Sequence, residues 1–236
     1  MSAPNINRWI GIGLLGLPLY GALTFFSSLN PQPDPNTHYE AWARYVTTDF
    51  YLLKHLFASG LGLILVVFGT IALGAYLVTS RAGRMGLMGM IITVFGTLLF
   101  LMIGGLSIFA VPKEGQAFLA GIEEYAKLPT ILADTTLLPT MGVGVLLMLV
   151  GNVLLGVAVW RSGTLPKWAG ALWVAGSALP LLGQIYIILP IGANSTPPTV
   201  PTGAVLLVIG GAWMAYSVLR RPSARTVGVQ AQPRVQ

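Results

Sequence analysis

Six apolar runs divide the chain, at residues 9–29, 56–79, 86–111, 137–160, 168–191 and 200–219. At 1.5 Å of rise per residue, each run is long enough as a helix to cross the ~30 Å hydrocarbon layer of a bilayer. With 55% hydrophobic and 8% charged residues and a mean hydropathy of +0.77, the chain carries more apolar surface than one water-soluble core could hide. The expectation is an all-α integral membrane protein with six transmembrane helices. Its single membrane domain covers residues 1–221, and a disordered basic cytoplasmic tail covers 222–236.

Charge placement orients the spans. All seven acidic residues, Asp34, Glu40, Asp49, Glu114, Glu123, Glu124 and Asp134, fall in two alternate gaps between the runs. Nine of the thirteen Lys and Arg residues (Arg8, Arg81, Arg84, Arg161, Lys167, Arg220, Arg221, Arg225, Arg234) fall in the other gaps and the tails. An excess of basic residues marks the cytoplasmic face, so both termini and the turns at 80–84 and 161–167 are expected there. The same placement explains the pI near 9.8 without a nucleic-acid partner, because the basic residues sit at helix ends as topology anchors. The first run follows Arg8 like a signal peptide, but its 21-residue length and the lack of a following A-x-A site make it an uncleaved span.

The outer connections have structure of their own. After Pro31, Pro33 and Pro35, the residues Tyr39, Trp42, Ala43 and Val46 recur at helical spacing opposite Glu40, Arg44, Thr47 and Thr48. Residues 114–127 repeat the pattern, with Phe118, Leu119, Ile122, Tyr125 and Ala126 opposite Glu123, Glu124 and Lys127. Two short amphipathic helices on the outer face are expected. Small or weakly polar pairs four residues apart, Thr70/Gly74, Asn152/Gly156 and Gly211/Ala215, recur on the even spans, each followed by an arginine. This suggests three parallel hairpin repeats; ordinary small-xxx-small packing produces the same signature.

Chemistry-bearing patterns are sparse. The absence of cysteine excludes disulfides, thiolate nucleophiles, Cys-ligated zinc and iron–sulfur clusters. Gly11-x-Gly13-x-x-Gly16 matches a dinucleotide fingerprint by letters but lies inside an apolar span, where it reads as helix-packing glycine. No cofactor is expected: only His55 among the two histidines approaches the hydrocarbon, so paired histidine ligands for haem are lacking. Within the spans only Asn152 and Gln184 are strongly polar, with Thr70, Thr93, Thr97, Ser107 and Ser177 as weaker groups. Ion-coupled transporters place ionisable residues at mid-membrane, so that class is disfavoured.

Two candidate sites remain. Asn152, Pro180 and Gln184 could line a pocket between helices for a neutral small molecule or lipid, since such a ligand needs few polar contacts. Alternatively they supply interhelical hydrogen bonds, and Pro18 and Pro180 merely kink their helices. At the outer rim, His38, Asp49, His55, Glu123, Glu124 and Asp134 could hold a divalent metal that activates water, provided the two outer loops meet. The competing reading is that these charges simply solvate amphipathic faces.

The stretch Trp160-Arg161-Ser162-Gly163-Thr164-Leu165-Pro166-Lys167-Trp168-Ala169-Gly170 and the segment Asp49-Phe50-Tyr51-Leu52-Leu53-Lys54-His55-Leu56 carry a resemblance. Over most of residues 40–220 the chain resembles a large group of bacterial six-span membrane proteins grouped under a domain of unknown function. The resemblance implies the six-helix fold and a bacterial inner membrane location, and supplies no catalytic residue. The leading expectation is a non-enzymatic accessory or structural subunit of a membrane assembly, whose partners are membrane lipids and other membrane protein subunits. A neutral-ligand carrier comes second and an outer-rim metal-dependent hydrolase third.

Overall fold

The computed structural model describes residues 6–30, 32–122, 137–188 and 198–220, with the side chains of residues 138 and 184–188 excepted. Every secondary-structure element among the described residues is a helix, without a strand. The first run is broken: α1 (Ile6–Leu14) and α2 (Gly16–Ser28) meet at Leu15. Pro18 is the cause, because a proline within the first turn of α2 has no N–H to continue the ladder. The segment after α2 then holds α3 (Tyr39–Val46).

The second run starts earlier than its apolar residues do. Thr48 caps α4 (Asp49–His55) by accepting the Tyr51 N–H at 3.2 Å. A π-helical stretch, Leu56–Gly62, follows and leads into α5 (Leu63–Val78). α6 (Gly83–Phe109) and α7 (Val111–Leu119) run almost end to end. α8 (Leu137–Ser162), α9 (Lys167–Ile188) and α10 (Thr199–Leu219) complete the described helices. Among the described residues five stretches are long and apolar enough to cross a membrane: Ile6–Ser28, Asp49–Val78, Gly83–Leu119, Pro139–Ser162 and Thr199–Leu219. The protein is thus an all-helical membrane protein.

The long helices form a closed ring in chain order: α1 with α2, then α5, α6, α8, α9 and α10, which packs back on α1 and α2. Glycine makes the seams tight. A Cβ added at Gly176 on α9 would stand 3.0 Å from the Gly203 carbonyl oxygen on α10, and one at Gly89 on α6 would stand 2.9 Å from the Leu155 nitrogen on α8. Backbones approach this closely only where one side has no side chain. Large apolar residues such as Phe68, Phe95 and Met102 face outward, the reverse of a water-soluble protein and the arrangement lipid requires.

The turn between α8 and α9 shows how its sequence works. Ser162 donates its hydroxyl to the Val159 carbonyl (2.8 Å) and accepts the Thr164 and Leu165 N–H groups (3.2 Å each). Gly163 takes φ +68°, a left-handed conformation in which a Cβ is strained. Trp160 and Trp168 meet edge to face across the turn, with centroids 5.4 Å apart.

The second amphipathic helix differs from the sequence expectation. Residues 114–127 have helical periodicity, but α7 already begins at Val111 and ends at Leu119, where Gly121 at φ +94° turns the chain away. A glycine in this conformation terminates a helix whatever the periodicity beyond it. The expected continuation over 123–127 and the basic tail over 222–236 lie outside the described residues.

Candidate functional site

Polar side chains from the spans converge on the axis of the ring. A cavity of about 20 Å³ there is lined by Tyr20 of α2, Val66 of α5, Thr93 and Thr97 of α6, Met148 and Asn152 of α8, Trp173, Ser177, Pro180 and Leu181 of α9, and Leu207 of α10. All six sectors of the ring contribute. Asn152 donates Nδ2–H to the Met148 carbonyl (2.8 Å), and its Oδ1 accepts the Trp173 Nε1–H (3.0 Å). Both partners fix the amide orientation, because an indole nitrogen only donates and a carbonyl only accepts. Thr97 donates to the Thr93 carbonyl (2.7 Å) and Ser177 to the Trp173 carbonyl (2.8 Å). The Thr93 hydroxyl is buried and has no hydrogen-bond partner among the described residues.

Two of the three sequence-derived pocket residues, Asn152 and Pro180, therefore line one cavity. Gln184 lies one turn beyond Pro180 on α9, with its side chain outside the described residues. Pro180 does not interrupt α9, which runs unbroken from Lys167 to Ile188. Its ring instead packs against Gly203 of α10, where an added Cβ would collide with it. Sequence reading missed Trp173 and Tyr20. The available signal was Asn152 itself: a buried amide demands a partner, and an indole N–H within a neighbouring span is one of few that can reach it.

A second polar region caps the end of the ring that carries α3 and α7. α3 lies on α7, burying Trp42, Ala43 and Val46 against Val111 and Tyr51. Gly115 permits the contact, since a Cβ there would stand 3.0 Å from the Ala43 carbonyl oxygen. Tyr39 stacks edge to face on Phe118 and donates its hydroxyl to Glu114 Oε1 at 3.1 Å. Glu114 is only 4% exposed. Lys54 is also buried; its Nζ donates to the Asn30 carbonyl just beyond α2 (2.6 Å) and to the Tyr45 hydroxyl (3.5 Å). Burial pushes the Tyr45 phenol above its ordinary pKa, so it remains a neutral hydroxyl at physiological pH.

The outer-rim metal candidates are distributed differently. His38 is exposed, with Nδ1 2.8 Å from the Thr37 hydroxyl, and Asp49 is exposed in the first turn of α4. His55 turns inward, its Nδ1 3.0 Å from the Tyr51 carbonyl oxygen and its ring 4.0 Å from that of Tyr51. Among the described residues no three histidine, aspartate or glutamate side chains come together to hold a metal ion. Glu123, Glu124 and Asp134 lie outside the described residues. Glu114, which sequence reading passed over as one more acidic loop residue, is the carboxylate buried among the described residues. No family model, no curated protein and no solved structure matches this chain.

Proposed function

We propose that the chain is a six-span protein of the bacterial inner membrane with cytoplasmic termini, acting as a non-enzymatic structural or accessory subunit of a membrane assembly. The observation that carries this reading is the closed, glycine-tight ring whose axis leaves only about 20 Å³. Small-molecule sites occupy ~300–1,000 Å³. A core this filled suits a rigid scaffold better than a carrier. In this reading α9 is the sixth span, since its 22 residues rise about 33 Å. The family resemblance of the two quoted stretches fits the same architecture.

The three-hairpin repeat is part of the proposal. It is supported by how the small pairs of the even spans are used: Gly74 faces Met90 on α6, Gly156 faces Val174 and Gly170 on α9, and Gly211 faces Leu17 and Pro18 on α2. Each packs on the next helix round the ring.

Native mass spectrometry after extraction in mild detergent tests the role. Stoichiometric partner subunits or lipids are expected, and a strictly monomeric particle with neither overturns it. Because the chain has no cysteine, Arg81→Cys, Lys167→Cys and Thr37→Cys can each be probed with an impermeant thiol reagent. The first two are expected to be protected in intact cells and the third labelled.

The convergence of Asn152, Thr93, Thr97 and Ser177 on one axis favours a second reading, a binding site for a neutral small molecule. That reading requires the ring to open, and an experimental structure with an axial cavity of several hundred Å³ would select it over the first.

A further inference from the structure

The two ends of the ring differ sharply in charge. Close contacts set Gly11 against Leu219, Gly86 against Leu77 and Gly170 against Val159, so Arg8, Arg81, Arg84, Arg161, Lys167 and Arg220 gather at the end opposite α3 and α7. All six are exposed, and none forms an ion pair among the described residues. The described acids, Asp34, Glu40, Asp49 and Glu114, are all at the other end, interspersed with Arg44, Lys54 and Lys113. One end thus carries cations without counter-charge.

The α8–α9 turn gives that charge a shaped site. The apolar, membrane-length stretch of α8 stops at Ser162, where hydrocarbon gives way to headgroups. Arg161 and Lys167 stand exposed on either side of a turn that Ser162 holds by hydrogen bonds and Gly163 reverses at φ +68°. Trp160 and Trp168 meet edge to face beside them yet stay 40% and 66% exposed. Indoles favour the boundary between acyl chains and headgroups, and Arg or Lys at that level attracts anionic lipid. A soluble phosphate would engage the cations alone, whereas a phospholipid engages the indoles as well.

We propose that the α8–α9 turn binds the headgroup of an anionic phospholipid from the adjoining leaflet, with Arg161 and Lys167 on the phosphate and Trp160 and Trp168 on the glycerol and upper acyl chains. The other four cations keep such lipids enriched around that end. The inference names a lipid class within the scaffold reading but rests on the membrane location alone, so it holds whether or not the chain has partner subunits.

The test places the full chain in phosphatidylcholine bilayers with a minor fraction of phosphatidylglycerol that bears a photoreactive diazirine beside its headgroup. Labelled peptides are mapped by mass spectrometry. Labelling within residues 160–168 is expected, displaced by unlabelled phosphatidylglycerol and not by added phosphatidylcholine or millimolar glycerol 1-phosphate. Arg161→Gln combined with Lys167→Gln should lower it about 25-fold, since each cation near an anionic surface contributes about a factor of five. Lys113→Gln at the other end should leave it unchanged, which separates a local site from net charge. Equal displacement by phosphatidylcholine, displacement by glycerol 1-phosphate, undiminished labelling in the double variant, or an equal loss in Lys113→Gln overturns the proposal. Should the double variant fail to insert, the displacement series on the parent decides alone. Labelling is read on this chain, so a particle without partner subunits, which counts against the scaffold role, leaves this result standing.

Discussion

Glycine-to-alanine substitutions along α8 should have opposite signs, although the chemistry of each change is identical. A Cβ at Gly142 meets nothing within 4 Å. At Gly144 it would stand 3.3 Å from the Gly96 carbonyl oxygen, a tight but tolerable contact. At Gly156 it would stand 2.8 Å from the Gly170 carbonyl oxygen, and at Gly151 2.9 Å from Thr93 Cα and nearer still to the Thr93 nitrogen. Both of these collisions involve backbone, which cannot rotate away, and a Cβ at Gly156 would also meet the β-branched Val174 side chain. Alanine gains up to about 1 kcal/mol over glycine in a helix interior, whereas overpacking a tight contact costs about 1–3 kcal/mol. Gly142→Ala should therefore stabilise by up to about 1 kcal/mol and Gly144→Ala should be near neutral. Gly151→Ala and Gly156→Ala should each destabilise, by a net of up to ~2 kcal/mol. Equilibrium unfolding in mixed micelles, titrated with a denaturing detergent, reads the order directly. If Gly142→Ala and Gly151→Ala shift stability in the same direction, backbone-tight packing between α6 and α8 is refuted.

Other expectations follow from single contacts. A double-mutant cycle with Asn152→Leu and Trp173→Phe should yield a coupling of about 0.6 kcal/mol and no more than about 1.7, the range for hydrogen bonds between membrane helices; zero coupling would mean the 3.0 Å bond is not made in the bilayer. Tyr39→Phe, which removes the donor to Glu114, should speed amide exchange across α3 by an amount equivalent to about 1 kcal/mol, with α8 to α10 unchanged. Glu40→Ala or Arg44→Ala should change stability by less than ~0.5 kcal/mol, since that pair is solvent-exposed.

The span positions were legible because length and hydropathy act locally: α8 and α10 begin and end within two residues of the apolar runs. Boundaries fixed by a cap or a special φ were harder. Thr48 starts α4 seven residues before the apolar run at 56, and Gly121 stops α7 inside a periodic segment. Asn152 and Pro180 could be singled out from sequence because polar or helix-breaking residues in an apolar span are conspicuous. Trp173, Tyr20 and Glu114 could not: an aromatic in a membrane helix ordinarily faces lipid, and an acid in an outer loop ordinarily faces water. Their burial is set by which helices become neighbours, a long-range property that no window of sequence contains.

The ring closes between its first and last helices, with Gly11 against Leu219 and Gly21 against Ala204 and Val208. During synthesis that seam has no second half until α10 has left the ribosome. Until then Gly11 and Gly21 have only lipid or the insertion machinery to lie against, although Gly13 and Gly16 can already pack on α5 and the helices from α5 to α9 can associate in order. Gly11 and Gly21 thus form the latest and longest-range joint in assembly. A nascent chain stalled before α10 is the form in which the bundle is most open to capture by another membrane helix.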